Sequence, residues 1–163
     1  MKNVRPATFL DLQAITDIYN QAILNTTATF DTEIKSLEDR ETWFTNRDEN
    51  FPILVIEFNN SIVGYAALNK WSERKAYDIT AEISIYISEG FRGQGLGKIL
   101  LNTITLAARN SKLNSLLARI TEGNEQSIYM HQNVGFITVG VMKKVGEKFG
   151  RKLDVTMMQL MLK

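Results

Sequence analysis

The chain has 163 residues, 44% hydrophobic and 23% charged, which is room for one folded domain with a real core. A formal net charge of +1 gives no electrostatic case for nucleic acid or an anionic membrane, and no apolar run approaches the ~20 residues that span a bilayer. There is no cysteine and only one histidine, His131, so disulfides, thiolate sites and multi-histidine metal sites are excluded and no metal is expected.

Residues 1–6 hold no apolar signal core, and a cytoplasmic setting is the expectation. A short strand is expected over residues 2–5. Thr8 has the chemistry of an N-cap, with Asp11 in the first turn favouring the dipole. Leu12, Ile15, Ile18, Tyr19 and Ala22 make the apolar stripe of a first helix, which fades at residues 25–27. Residues 28–32 have no period and place Phe30 in a polar stretch, where a lone aromatic packs under its loop. Ser36 with Asp39 three residues on predicts a second cap and a helix to about residue 47, with Trp43 and Phe44 as its core face.

Pro52 precedes a strand over residues 53–58, Asn59-Asn60 make a turn, and residues 61–68 return as a hairpin arm. Residues 69–78, with Trp71, Arg74, Lys75 and Tyr77, read as a loop or a distorted strand start. Over residues 81–88, Ile83, Ile85 and Ile87 alternate with Glu82, Ser84 and Tyr86, which is a strand. A glycine turn follows, Arg92-Gly93-Gln94-Gly95-Leu96-Gly97-Lys98. Then Leu96, Ile99, Leu100, Thr103, Ile104 and Ala107 recur at helical spacing up to residues 110–111. Residues 115–121 predict a strand, residues 124–133 a short helix, and residues 136–144 and 153–162 two strands flanking a turn with Gly146 and Gly150. The expected fold is α/β (α+β): one domain, residues 1–163, with a mixed, mostly antiparallel twisted sheet flanked by helices.

The strand, glycine turn and helix suit a phosphate or pyrophosphate. Glycines let a ligand approach the backbone, and the helix start supplies N–H groups and the positive end of a dipole. The P-loop pattern fails, because Gly97-Lys98 is followed by Ile99. The dinucleotide pattern fails, because its third glycine would fall on Lys98. An ordinary glycine-rich turn is the plain alternative.

The spacing Arg92-x-x-Gly95-x-Gly97 resembles the pyrophosphate loop of the GNAT superfamily of N-acetyltransferases. Asn124-x-x-Ser127-x-x-x-His131-x-x-x-Gly135-Phe136, about thirty residues on, resembles the segment in which that family meets the pantetheine arm. The segments Thr29-Phe30-Asp31-Thr32-Glu33 and Ala76-Tyr77-Asp78-Ile79-Thr80-Ala81-Glu82 are similar to phosphinothricin and methionine sulfoximine acetyltransferases, as is histidine at 131 where most members carry tyrosine. Tyr129 lies on a different helix face and does not inherit that tyrosine's role.

The resemblance implies acetyl-CoA as co-substrate, a small amino-acid-like amine as acceptor, and a homodimer. Backbone groups of Ile85, Tyr86 and Ile87 would hold the acetyl-pantetheine arm. Arg92, Gly93, Gln94, Gly95, Leu96, Gly97 and Lys98 would hold the pyrophosphate, and Asn124 with Ser127 the pantetheine. Glu82 would be the general base, with His131 a second candidate catalytic group. Arg74, Tyr77 and Phe30 would face the acceptor, Arg74 meeting its carboxylate. Amide formation needs a neutral amine, and a partly buried carboxylate near the acyl carbon can take its proton. Alternatives stay open: Glu82 as half of an ion pair across the sheet, His131 as a structural residue, and Arg74 with Lys75 as a solvated loop pair. So do a different amine as acceptor and a non-catalytic acetyl-CoA-binding regulator.

Overall fold

The computed structural model describes all 163 residues. Its seven strands are β1 (Lys2–Pro6), β2 (Ile53–Phe58), β3 (Ser61–Lys70), β4 (Thr80–Ile87), β5 (Ser115–Thr121), β6 (Ile137–Lys148) and β7 (Arg151–Met161). The helices are α1 (Leu12–Asn25), α2 (Leu37–Thr45), α3 (Leu96–Arg109) and α4 (Glu125–Val134). One sheet runs through the chain in the order β1-β2-β3-β4-β5-β7-β6. Only β4 and β5 pair in parallel. The expected α/β fold with a mostly antiparallel sheet is what forms.

Local chemistry sets most boundaries. The Ser36 hydroxyl accepts from the Asp39 N–H at 3.1 Å and the Asp39 carboxylate accepts from the Ser36 N–H at 3.2 Å, closing a capping box at the head of α2. Asn59 and Asn60 take φ of 51° and 65°, which a tight two-residue hairpin needs. Thr8 heads a 3₁₀ turn, Phe9–Asp11, that runs on into α1. Asp11 is buried there. Its carboxylate accepts from the Thr8 N–H at 2.7 Å and from two nitrogens of Arg5, at 2.7 and 2.9 Å, tying β1 to α1.

Helices cover both sheet faces. Leu96, Leu100, Leu101, Ile104 and Ala108 of α3 pack on Leu54, Ile56, Leu68, Ile83 and Leu116. Ile15 and Ile18 of α1 pack on Ile53, Val55, Tyr65 and Ala67 from the other side. Burial on both faces is why β2 reads as the unbroken apolar run Ile53-Leu54-Val55-Ile56. Burying each such side chain contributes roughly 1.5–3 kcal/mol before the entropy of ordering it is counted.

Two expectations change. Trp43 and Phe44 are only half-buried, and the side chain that α2 fully buries is Arg40. Gly146 is not in a turn. β6 continues through it to Lys148, and the turn is Phe149–Gly150, with φ of 52° and 72°. Gly146 instead makes room for Phe30, whose ring carbon Cε2 would lie 2.1 Å from a Cβ at that position.

Candidate active site

β4 and β5 pair only at Thr80–Ser115, Ala81–Leu116 and Glu82–Leu117. Beyond that point they diverge. β4 stays with β3 up to Ile87–Gly64, while β5 stays with β7 up to Thr121–Val155. The divergence opens a cavity of about 1430 Å³ in the middle of the sheet. Its walls come from residues 83–87 of β4, the end of β5, the start of α3, one side of α4 and the loop at residues 26–31.

One end of the cavity is the glycine turn. Gly93 and Gly95 adopt φ of 75° and 77°, a conformation that disfavours a side chain, and both face open space. None of the N–H groups of residues 92–98 has an acceptor within the chain. They form, with the start of α3 and the exposed side chains of Arg92 and Lys98, a cradle for an anion. Gly97 has a different job: a Cβ there would come 3.3 Å from Sδ of Met130, so it lets α3 and α4 pack. Leu96 is a buried core residue under the turn, and Gln94 lies off the cavity wall, its carbonyl accepting from Lys2 Nζ at 3.1 Å.

On the α4 side, the Asn124 side chain caps the helix, accepting from the Ser127 N–H at 3.3 Å. Both residues line the cavity. His131 also lines it but is 5% exposed. Its Nδ1 lies 2.7 Å from the Ser127 carbonyl, where an N–H donates, and its ring meets Phe136 edge-on at 5.0 Å. Burial holds the imidazole below its ordinary value, so it is neutral at pH 7.

The opposite end is built from side chains. Both oxygens of the Glu82 carboxylate accept from Arg119, Oε1 from Nη2 at 2.7 Å and Oε2 from Nε. Tyr86 packs against Tyr19, ring centroids 5.2 Å apart, and the Tyr19 hydroxyl bonds to Asp31 and to Thr29. Phe30, Arg40 and Trp43 complete this end. Arg74 and Tyr77 do not reach it. They are exposed on a 3₁₀ turn, Lys75–Tyr77 and its N-cap, outside the cavity wall. Arg119 was missed in sequence, although it is the one charged residue of β5, as Glu82 is of β4. Nothing in the helical pattern of α2 marked Arg40.

A model of the acetyltransferase (GNAT) domain matches residues 4–157. The chain belongs to the GNAT acetyltransferase family. It is 40% identical over 162 residues to the L-methionine sulfoximine/L-methionine sulfone acetyltransferase of Pseudomonas aeruginosa, covering 98% of this chain and 94% of that one. It is 34% identical over 156 residues to the phosphinothricin N-acetyltransferase of Streptomyces coelicolor, covering 93% and 91%. An acetyltransferase structure from Salmonella typhimurium, solved with its cofactor acetyl-CoA, superposes with a TM-score of 0.96 at 36% identity, covering 100% of this chain and 95% of that one. This GNAT protein is therefore an acetyl-CoA-dependent N-acetyltransferase. It has no helix long and apolar enough to cross a membrane.

Proposed function

We propose that this enzyme acetylates the amine of a small amino-acid-like acceptor, of the phosphinothricin or methionine sulfoximine type, by direct attack on the thioester with Glu82 as general base. The observation that carries the reading is the split between β4 and β5. It sets a peptide-built anion cradle at one end of the cavity and a wall carboxylate at the other.

The residues fit acetyl-CoA. The unpaired N–H groups of residues 92–98 would hold the pyrophosphate, and the edge of β4 at Ile85, Tyr86 and Ile87, which β5 has left and where Arg92 Nε donates to the Ile87 carbonyl at 3.1 Å, would take the pantetheine arm as an added strand, with Asn124 and Ser127 opposite. Acetyl-CoA supplies an acyl carbon activated as a thioester. The acceptor nitrogen bonds to that carbon, the carbon–sulfur bond breaks, and the thiolate leaves. The proton released by the nitrogen goes to Glu82, directly or through one water. Each Glu82 oxygen keeps a second lone pair beside its bond to Arg119, so the ion pair leaves room for that transfer. His131 enters this reading as a neutral prop of α4, because its donor is already spent on Ser127.

Phe30 would line the acceptor pocket. Arg74 and Tyr77 lie outside this chain's own cavity, so any part in acceptor binding would be played toward a second copy in a homodimer. A cytoplasmic setting, where acetyl-CoA and free amino acids meet, fits a chain without cysteine. The experiment is acetyl-CoA consumption measured over amino-acid analogues bearing a tetrahedral sulfur or phosphorus, with polyamines and aminoglycosides as the contrast. Turnover of the analogues supports the reading. Turnover only of the polycations overturns it, and no turnover with any amine returns the protein to a binding role.

A further inference from the structure

α2 is a polar helix, yet the side chain it buries fully is a cation. Arg40 is 7% exposed. Its guanidinium carbon lies 3.7 Å from the centroid of the Trp43 ring and 4.5 Å from that of Tyr19. Nη2 donates to the Tyr65 hydroxyl at 3.2 Å. Nε is buried with no partner, and Nη1 has no acceptor in the chain. The ion pairs of the protein join Arg5, Lys35, Lys70, Arg119 and Lys143 to carboxylates, and none includes Arg40. A full positive charge is thus taken out of water with aromatic faces and a phenol around it and no counter-ion.

The surroundings add charge rather than cancel it. Arg47 also approaches the Trp43 ring, at 4.8 Å, and is held below its ordinary value by burial first and by the Arg40 charge second. Asp31 is engaged by Tyr19 and by Lys35, at 3.9 Å. Yet Arg40 lines the cavity, with Tyr19, Trp43, Asn69 and Glu82. Glu82 stands directly opposite Asn69 across β3 and β4, and the Asn69 side-chain oxygen accepts from Trp43 Nε1 at 3.3 Å, beside the Arg40 guanidinium. The base and the unpaired cation therefore share one end of one cavity.

We infer that Arg40 binds the acceptor: its guanidinium receives the negatively charged group of the substrate and selects anionic amino-acid-like amines over their uncharged counterparts. The inference rests on the amino-acid reading above and replaces Arg74 as the anion-binding residue within a single chain. A guanidinium suits a carboxylate or a tetrahedral oxyacid because its donors are charged and fixed in a plane, and Nη1, with no acceptor in the chain, is the one left to meet the ligand. The two aromatic rings hold the guanidinium in place, so little freedom is lost when the ligand arrives.

The test compares L-methionine sulfone with its methyl ester, by calorimetry on the CoA-saturated protein and by initial rates with acetyl-CoA. Wild type should bind the acid at least ~10-fold tighter than the ester, as loss of a charge-assisted bond to a guanidinium predicts. In Arg40→Met the acid-to-ester ratio should collapse to about one, while acetyl-CoA affinity, set at the other end of the cavity, holds. Because the same two ligands are compared in each protein, the ester's own chemistry cancels. A merely structural arginine would lower both affinities together and leave the ratio intact, which overturns the inference. So does a wild type that binds acid and ester alike, or that binds no acid. Should Arg40→Met fail to fold, Arg40→Lys decides, since a point charge should shrink the ratio at least threefold and an unchanged ratio overturns the assignment. Turnover of the ester without charge preference sinks Arg40 alone, whereas turnover of neither amino-acid derivative sinks the amino-acid reading itself.

Discussion

Arg119 closes on both oxygens of Glu82 from a position two residues past the last rung that β4 and β5 share. The carboxylate is 16% exposed and the guanidinium 53%, so the pair forms a wall that an incoming amine meets from the cavity. Arg119 is held above its ordinary value, chiefly by its hydrogen bonds to Glu82. The same contact aims the carboxylate. If Glu82 is the base, Glu82→Gln should lower kcat by roughly 10²–10⁴ and leave acetyl-CoA affinity nearly unchanged. Turnover and melting temperature, read on one sample, separate this from a structural ion pair, which would give a lower melting point with near-normal kcat.

Gly95 supplies the left-handed residue at the head of α3. Gly95→Glu should weaken acetyl-CoA binding by about 10²-fold or more, since it strains the turn and sets a carboxylate against a phosphate; losing even one or two charge-assisted bonds is of that size. Gly90→Ala is the matched control. It has no positive φ, nothing within 4 Å of a new Cβ and no place on the cavity wall, so its affinity should stay within the scatter of ordinary surface substitutions. Calorimetric titration with acetyl-CoA compares the two, and equal affinities would detach the turn from the cofactor.

Phe30 rests against the bare backbone of Gly146, its ring carbons Cε2, Cδ2 and Cζ occupying the space a Cβ would take. Gly146→Ala must push the ring into the cavity or the loop outward, at a cost of about 1–3 kcal/mol. The acceptor KM should rise several-fold while the acetyl-CoA dissociation constant holds. A KM that does not move would remove Phe30 from the acceptor pocket.

His131 gives the protein a stability that depends on pH. Burial disfavours the imidazolium, so the folded-state value lies below the 6.5 of a free histidine. As pH falls, the unfolded chain takes up the proton first. The contribution is complete above about pH 6.5 and is lost as pH drops from there through the folded value. Melting temperature should decline as pH falls below about 6.5, and this decline should flatten in His131→Asn. The chain has no other histidine, so the difference is assignable. Turnover of the folded variant at pH 7.5 should change little, and a large loss of kcat would restore a catalytic His131.

What the sequence shows well is whatever is settled within a few residues. The Ser36–Asp39 box, the Asn59-Asn60 turn, the left-handed Gly95 and the Asn124 cap are local events, in which side chain, backbone angle and neighbour lie in one short segment. The misplacements are tertiary. Trp43 and Phe44 have the chemistry of a core face, but the groove beneath α2 is already lined by Tyr19 and Tyr65, and a guanidinium fills it. Gly146 looked like punctuation because its real partner, Phe30, comes from the far end of the chain. Arg74 and Tyr77 are a separate case: resemblance implies them at the acceptor, and in a single chain they are exposed at a 3₁₀ turn off its own cavity wall, so a role for them would need a second copy. Glu82 and Arg119 could have been paired in advance only by knowing that their strands lie side by side.

The two ends of the cavity are written in different alphabets. The glycine end is spelled mainly in peptide N–H groups, which every residue except proline carries, so what it asks of the sequence is backbone shape: left-handed Gly93 and Gly95 and a bare Gly97 beside Met130. The far end is spelled in side chains: Phe30 from a loop, Arg40 from a helix, Glu82 and Arg119 from two strands. Any one of these can be exchanged without disturbing the turn that begins α3. A library aimed at new amines should therefore randomise the loop before α2 and the inward face of α2, and leave residues 92–98 alone. Donor use should survive most members of such a library while acceptor preference drifts.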